Sequence, residues 1–80
     1  MTSSVRSIYL ERVDAPRDLA RFYVVEVQQD LFGDTLVVRR WGRIATRGRQ
    51  MSSAAPSLVD AMYQLEHWSS TKFRRGYRLR

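Results

Sequence analysis

Two runs of alternating character, residues 21–29 and 35–45, stand on either side of Asp30-Leu31-Phe32-Gly33-Asp34, and that juxtaposition limits the fold more than any other feature. Aromatic and β-branched residues recurring with a period of two form half-buried strands. A short connection holding a glycine free to take positive φ closes such runs into an antiparallel hairpin. Two strands alone are marginal in water, so the rest of the chain has to extend the sheet and cover its apolar face.

In the first run Tyr23, Val25 and Val27 alternate with Phe22, Val24, Glu26 and Gln28. The polar members of the second set turn the first set toward the core. In the second run Thr35, Val37, Arg39, Trp41 and Arg43 share one face, and Leu36, Val38, Arg40, Gly42 and Ile44 the other. Three aliphatics outweigh Val37 and Trp41, so Leu36, Val38 and Ile44 are expected inward and Trp41 outward. Arg40 then passes the helix end or pairs with Glu66.

The remaining segments fit around this hairpin. A polar lead-in over residues 1–6 is expected to be disordered, and residues 8–13 form a first edge strand. Asp14 to Asp18, containing Pro16, is a turn. Residues 49–53 pair back as a short fourth strand. Ser57-Leu58-Val59-Asp60 fits a capping box, and Leu58, Ala61, Met62, Leu65, Trp68 and Ser69 follow helical spacing, predicting a helix from Leu58 to about Thr71. Gly76 leads into a tail strand over residues 77–79. The fold class is α+β: one domain over residues 1–80, an antiparallel sheet of four to five strands with one helix packed on one face. Its expected core is Tyr23, Val25, Val27, Leu36, Val38, Ile44, Leu58, Met62, Leu65 and Trp68, with Phe32 as a plug.

The chemistry is concentrated in Arg39 to Arg49, which holds five arginines, one tryptophan and two glycines. Residues 1–34 carry four arginines against six acids, whereas residues 35–80 carry ten basic residues against Asp60 and Glu66. Thirteen of the fourteen basic residues are arginine, whose planar fork suits phosphate and stacks on aromatics. A tryptophan between two guanidiniums is what stacking on a sugar or base with pairing to phosphate requires. Lys72, Arg74, Arg75, Arg78 and Arg80 read equally well as a solvated tail or as a second basic edge.

Other functions find little support. The chain has no cysteine and one histidine, His67, which leaves no thiolate nucleophile and no ligand set for zinc. Glu11, Asp14, Asp30 and Asp34 flank turns and read as solvated turn acids. The glycines form no phosphate-cradling loop. No apolar run approaches the roughly 20 residues that span a bilayer. The expectation is a cytoplasmic protein, associated with the nucleoid where it binds DNA, with no catalysis, cofactor, metal, membrane or small-molecule substrate.

Five blocks, Ala20-Arg21-Phe22-Tyr23, Leu31-Phe32-Gly33, Arg40-Trp41-Gly42-Arg43-Ile44, Thr46-Arg47-Gly48 and Arg75-Gly76-Tyr77-Arg78, are similar in order and spacing to the small stand-alone bacterial members of the WGR domain family. Ala45 stands where that family commonly has glycine, and Asp18-Leu19 where stand-alone members often have Asn-Met. The resemblance implies a non-catalytic module for nucleic acid, DNA at ends or breaks being favoured. In poly(ADP-ribose) polymerases the family's tryptophan stacks on a sugar at a break end and its arginine contacts the phosphate backbone and neighbouring domains; the matching residues here are Trp41 and Arg43. The full candidate surface is Arg39, Trp41, Arg43, Arg47, Arg49, Lys72, Arg74 and Arg75. The alternative is a protein-interaction adaptor presenting the same face to an acidic partner, since Trp and Arg also dominate interface hot spots.

Overall fold

The structure, a computed structural model, describes residues 2–80. Asp30 builds the central turn: its Oδ1 accepts hydrogen bonds from the backbone N–H groups of Phe32 and Asp34, both at 2.9 Å, while Gly33 takes a φ of +81°. The turn sets Gln29 opposite Thr35. From there β2 (Leu19–Asp30) runs antiparallel to β3 (Thr35–Arg43), ending with Arg21 opposite Arg43. β1 (Thr2–Asp14) lines the other side of β2, β4 (Arg49–Ala55) pairs with β3, and the two-residue β5 (Arg78–Leu79) pairs with β1. The sheet is antiparallel with order β4-β3-β2-β1-β5.

One helix, α1 (Leu58–Arg74), packs on this sheet. Ser57 caps it, its Oγ accepting from the Asp60 backbone N–H at 3.2 Å, and Asp60 puts negative charge at the positive helix end. Ala61, Leu65 and Ser69, spaced four apart, are its buried residues. They close a core made with Leu10, Tyr23, Val25, Val27, Val37 and Tyr77. The α+β class and the single covering helix match the sequence reading.

β3 is turned over relative to expectation. Thr35 and Val37 are buried beneath the helix, Trp41 packs on the core from the same side, and Leu36, Val38 and Ile44 are only half-buried. The cause is parity. Directly opposed residues in an antiparallel pair share a face, and the five-residue turn pairs Val27 with Val37 and Tyr23 with Trp41. With Tyr23 and Val27 inward, Val37 and Trp41 follow. Arg40 goes to the opposite face, where its guanidinium lies 5.2 Å from the Phe22 ring centroid, and it does not pair with Glu66.

Smaller differences lie at the ends of elements and at the hairpin tip. Residues 2–6, expected as a disordered lead-in, extend β1 and pair with β2 as far as Asp30; Met1 lies outside the described residues. Phe32 is 90% exposed at the hairpin tip and plugs nothing, and Leu58 in the first helical turn is exposed. α1 runs three residues past Thr71 and β4 two past Ser53.

The loop after β3 folds back on the open face of the sheet and covers Phe22, which is 3% exposed. A Cβ on Gly42 would lie 2.7 Å from the Gly48 Cα, and one on Gly48, at φ +70°, would run into the Trp41 carbonyl and come within 2.8 Å of Phe22. Ala45 in the same loop has a φ of +72°, the left-handed region that costs an ordinary residue roughly 1–2 kcal/mol. Two expectations follow for thermal unfolding. Gly48→Ala should destabilise by on the order of 3 kcal/mol, combining backbone strain with overpacking. Ala45→Gly should raise the melting temperature by a few degrees, a gain of about 0.5–1 kcal/mol after the extra freedom of glycine in the unfolded chain is deducted; a lowered melting temperature would mean that the left-handed backbone at Ala45 carries no penalty.

Candidate nucleic-acid interface

Trp41 stands at the crossing of two rows of side chains. Across the sheet it lies between Tyr23 of β2 and Arg49 of β4; along β3 it lies between Arg39 and Arg43, each two residues away on the same face. Arg21 stands opposite Arg43. The helix completes the group with Trp68 and Lys72 near its C-terminal end.

Two clefts meet at Trp41. One, of about 100 Å³, is lined by Tyr23, Arg39, Trp41, Trp68 and Lys72. The other, of about 330 Å³, includes Arg21, Trp41, Arg43, Thr46 and Arg49, with Gly42 and Gly48 forming part of its wall. A larger cleft of about 560 Å³ lies elsewhere, between α1 and β1. It is lined by Ile8, Met62, Leu65 and Phe73 beside Arg6 and Glu66, and takes in none of the residues expected at the site.

Ring faces hold the cations in place. The Arg39 guanidinium carbon lies 3.9 Å from the Trp68 ring centroid and 5.8 Å from that of Trp41, and Arg39 Nη2 donates to Met51 Sδ at 3.0 Å. Lys72 Nζ lies 4.9 Å from the Tyr23 ring and 5.4 Å from the Tyr77 ring. Such contacts contribute roughly 0.5–2 kcal/mol each, more as water is excluded. Among the described residues no ion pair joins Arg21, Arg39, Arg49 or Lys72 to a carboxylate. Arg43 reaches Asp18 at 3.5 Å, but both side chains are mostly in solvent and such a pair is weak.

The electrostatics reflect this imbalance. Burial lowers the Lys72 pKa from its ordinary value, and the positive charges of Arg75, Arg39 and Arg21 lower it further. Burial raises the Tyr23 pKa, opposed by the Arg39 guanidinium. Tyr23 Oη is buried and has no hydrogen-bond partner among the described residues. An anion entering between Arg39 and Lys72 would favour the charged form of Lys72 and meet donors that have no carboxylate to leave.

The expected surface therefore divides. Arg39, Trp41, Arg43, Arg49 and Lys72 come together around the two clefts. Arg75 follows α1 closely enough to act on Lys72, but lines neither cleft. Arg47 is exposed in the loop, its carbonyl accepting from Arg40 Nη1 at 3.4 Å, and Arg74 is exposed beside Thr71; neither lines a cleft. Trp41 does not stand on an open sheet face: it is half-buried on the helix side, lining a cleft with Trp68 and Lys72 of the helix. Sequence reasoning missed Arg21, Tyr23 and Trp68 as members. Arg21 was within reach, because it shares a face with Tyr23 by simple alternation.

The WGR domain family matches residues 6–80. An uncharacterized protein of Sinorhizobium fredii (strain NBRC 101917 / NGR234), y4dW, is 38% identical over 80 residues, covering all of this chain and 39% of that protein. Poly [ADP-ribose] polymerase 2 of Zea mays is 32% identical over 63 residues, covering 65% of this chain and 10% of the polymerase. The chain thus spans well under half the length of these relatives. No solved structure matches it. With the match extending over nearly the whole sequence, the chain belongs to the WGR domain family.

Proposed function

We propose that this chain is a non-catalytic nucleic-acid-binding module, taking DNA at ends or breaks against the Trp41 clefts. The observation that carries the reading is the convergence of Arg21, Arg39, Arg49 and Lys72 on one tryptophan with no carboxylate paired to any of them. WGR domains of poly(ADP-ribose) polymerases are linked to nucleic-acid binding, and a maize polymerase of that kind is among the relatives. Trp41 would offer its free surface to a terminal sugar, while the cations on either side meet the phosphates. A duplex end fits such a site better than a continuous helix, because an end exposes a sugar face that a half-buried ring can approach.

Binding to blunt, nicked, single-stranded and intact circular DNA at two salt concentrations tests this. Affinity in the range of about 10⁻⁴ to 10⁻⁶ M is expected for the circle at physiological salt, tighter for ends, with log K falling as log salt rises. Binding indifferent to salt, or equal on circles and ends, would shift the reading to an adaptor for an acidic protein.

Position within the clefts separates the arginines. Arg21→Ala, Arg39→Ala and Arg49→Ala should each take about 0.9 from the magnitude of the salt slope on duplex DNA, one phosphate contact apiece. Arg74→Ala should leave that slope unchanged. Trp41→Phe is the informative change at the tryptophan, since Trp41→Ala would also remove a side chain packed on the core. It should weaken end binding with little effect on slope or on melting temperature.

A further inference from the structure

The two edges of the sheet are unlike. The β1 edge is interrupted by an irregularity between Ser4 and Arg6, is covered by β5 at Leu10 and Glu11, and carries Arg6 and Arg12. Bulges, covering segments and charges are the ordinary means by which a sheet edge is kept from pairing. β4 has neither bulge nor covering strand among the described residues, and its one charge is Arg49 at the end. It pairs with β3 without a break from Arg49 opposite Trp41 to Ala55 opposite Thr35. Its other side faces no strand among the described residues, and six of its seven residues are exposed. The sequence Arg49-Gln50-Met51-Ser52-Ser53-Ala54-Ala55 holds one charge, at its end, and no proline.

We infer that β4 is an interaction surface for a second copy of this chain, joined by antiparallel β4–β4 pairing about a two-fold axis at Ser52. This register alone uses all seven residues. It sets Arg49 against Ala55, Gln50 against Ala54, Met51 against Ser53, and Ser52 against itself. No charge meets a like charge, and facing serines can hydrogen-bond. A strand edge exposes N–H and C=O groups that a second strand satisfies, and a copy of β4 in this register does so along its whole length with no like charges opposed, which is why the occupant is the chain itself.

The loop over Phe22 lies against Gly42, and β4 from Arg49 to Ala54 is exposed. A two-fold perpendicular to the sheet puts both helices on one side of a ten-stranded sheet, and both Arg49 residues with them. At about 3.4 Å per residue the two Arg49 positions are roughly 20 Å apart. Pairing through strand edges buries little surface and each chain carries a net charge of +6, so the dimer is weak and strengthened by salt. Nucleic-acid binding has the opposite salt dependence, so the two can fail separately.

Sedimentation equilibrium of the chain without nucleic acid, up to about 1 mM, reads the dimer directly. The average mass is expected to rise from 9.4 kDa toward twice that value with concentration, and further with salt. Because the axis sets residue 52 against itself, Ser52→Lys and Ser52→Glu should each hold the mass at 9.4 kDa, and an equimolar mixture of the two variants should restore association. Amide exchange in the unmodified chain should slow in β4, and not in β1, as concentration rises. A mass that stays at the monomer value throughout, or association that survives Ser52→Lys, overturns the proposal.

Discussion

Where β3 passes Phe22, the Cα of Gly48 sits so close to Gly42 that neither residue can carry a side chain. That contact brings the loop after β3 back onto the sheet, buries Phe22 beneath it, and closes one end of the larger Trp41 cleft. It also fixes which way the tryptophan goes. Gly42 faces the loop, so its neighbours Trp41 and Arg43 face the helix side, where Arg49 and Lys72 are. The tripeptide Trp41-Gly42-Arg43 is thus one device: the glycine lets two backbones touch, and the flanking residues are directed to the other face.

Most of the fold was legible in the sequence because its signals are local. The Asp30–Asp34 turn, the Ser57 cap, the spacing of Ala61 and Leu65, and the alternation of Tyr23, Val25 and Val27 each depend on a few adjacent residues. The face of β3 was misjudged by comparing two rows of side chains in isolation. Leu36, Val38 and Ile44 are more aliphatic than Val37 and Trp41, and by that measure they belong inside. The turn overrules the measure. Val27 and Val38 could share a face only across a connection with an even number of residues, and the connection has five. Leu36 and Val38 are half-buried on the other face, which is itself partly apolar, with Tyr9 stacked on Phe22 at 6.2 Å and Arg40 over it.

The site was legible in part for a related reason. A run rich in arginine marks Arg39, Trp41, Arg43 and Arg49 whichever way the strand faces, since all four share one face of the sheet. Lys72 was placed on the candidate surface together with Arg74 and Arg75, with nothing to tell the three apart. What separates Lys72 from those two is the direction of a helix turn, which brings it under Tyr23 and Tyr77. Trp68 was read as core, and it does pack there, but its ring face also carries the Arg39 guanidinium. Nothing in spacing alone reveals that a residue has both uses.

Why these cations are held by rings and not by carboxylates bears on what they can bind. An arginine paired with an acid has to give up that pair before it can serve a phosphate. Arg39 gives its flat face to Trp68 and keeps most of its edge donors free, the Met51 sulfur being a weak acceptor. The free protein bears a cost for this, visible in the lowered pKa of Lys72. A lysine whose pKa falls on folding destabilises the fold at low and neutral pH, and the cost fades as pH rises through the folded pKa toward the ordinary 10.5. The C-terminal end of α1 offsets part of it, since the Lys72 and Phe73 carbonyls lie where the helix is negative and Lys72, Arg74 and Arg75 gather around them. A polyanion would complete the compensation from outside. Arg43 apart, the cluster is charged and without a carboxylate partner among the described residues, because its nearest supports are four aromatic rings, whose faces hold a cation without taking up its edge donors.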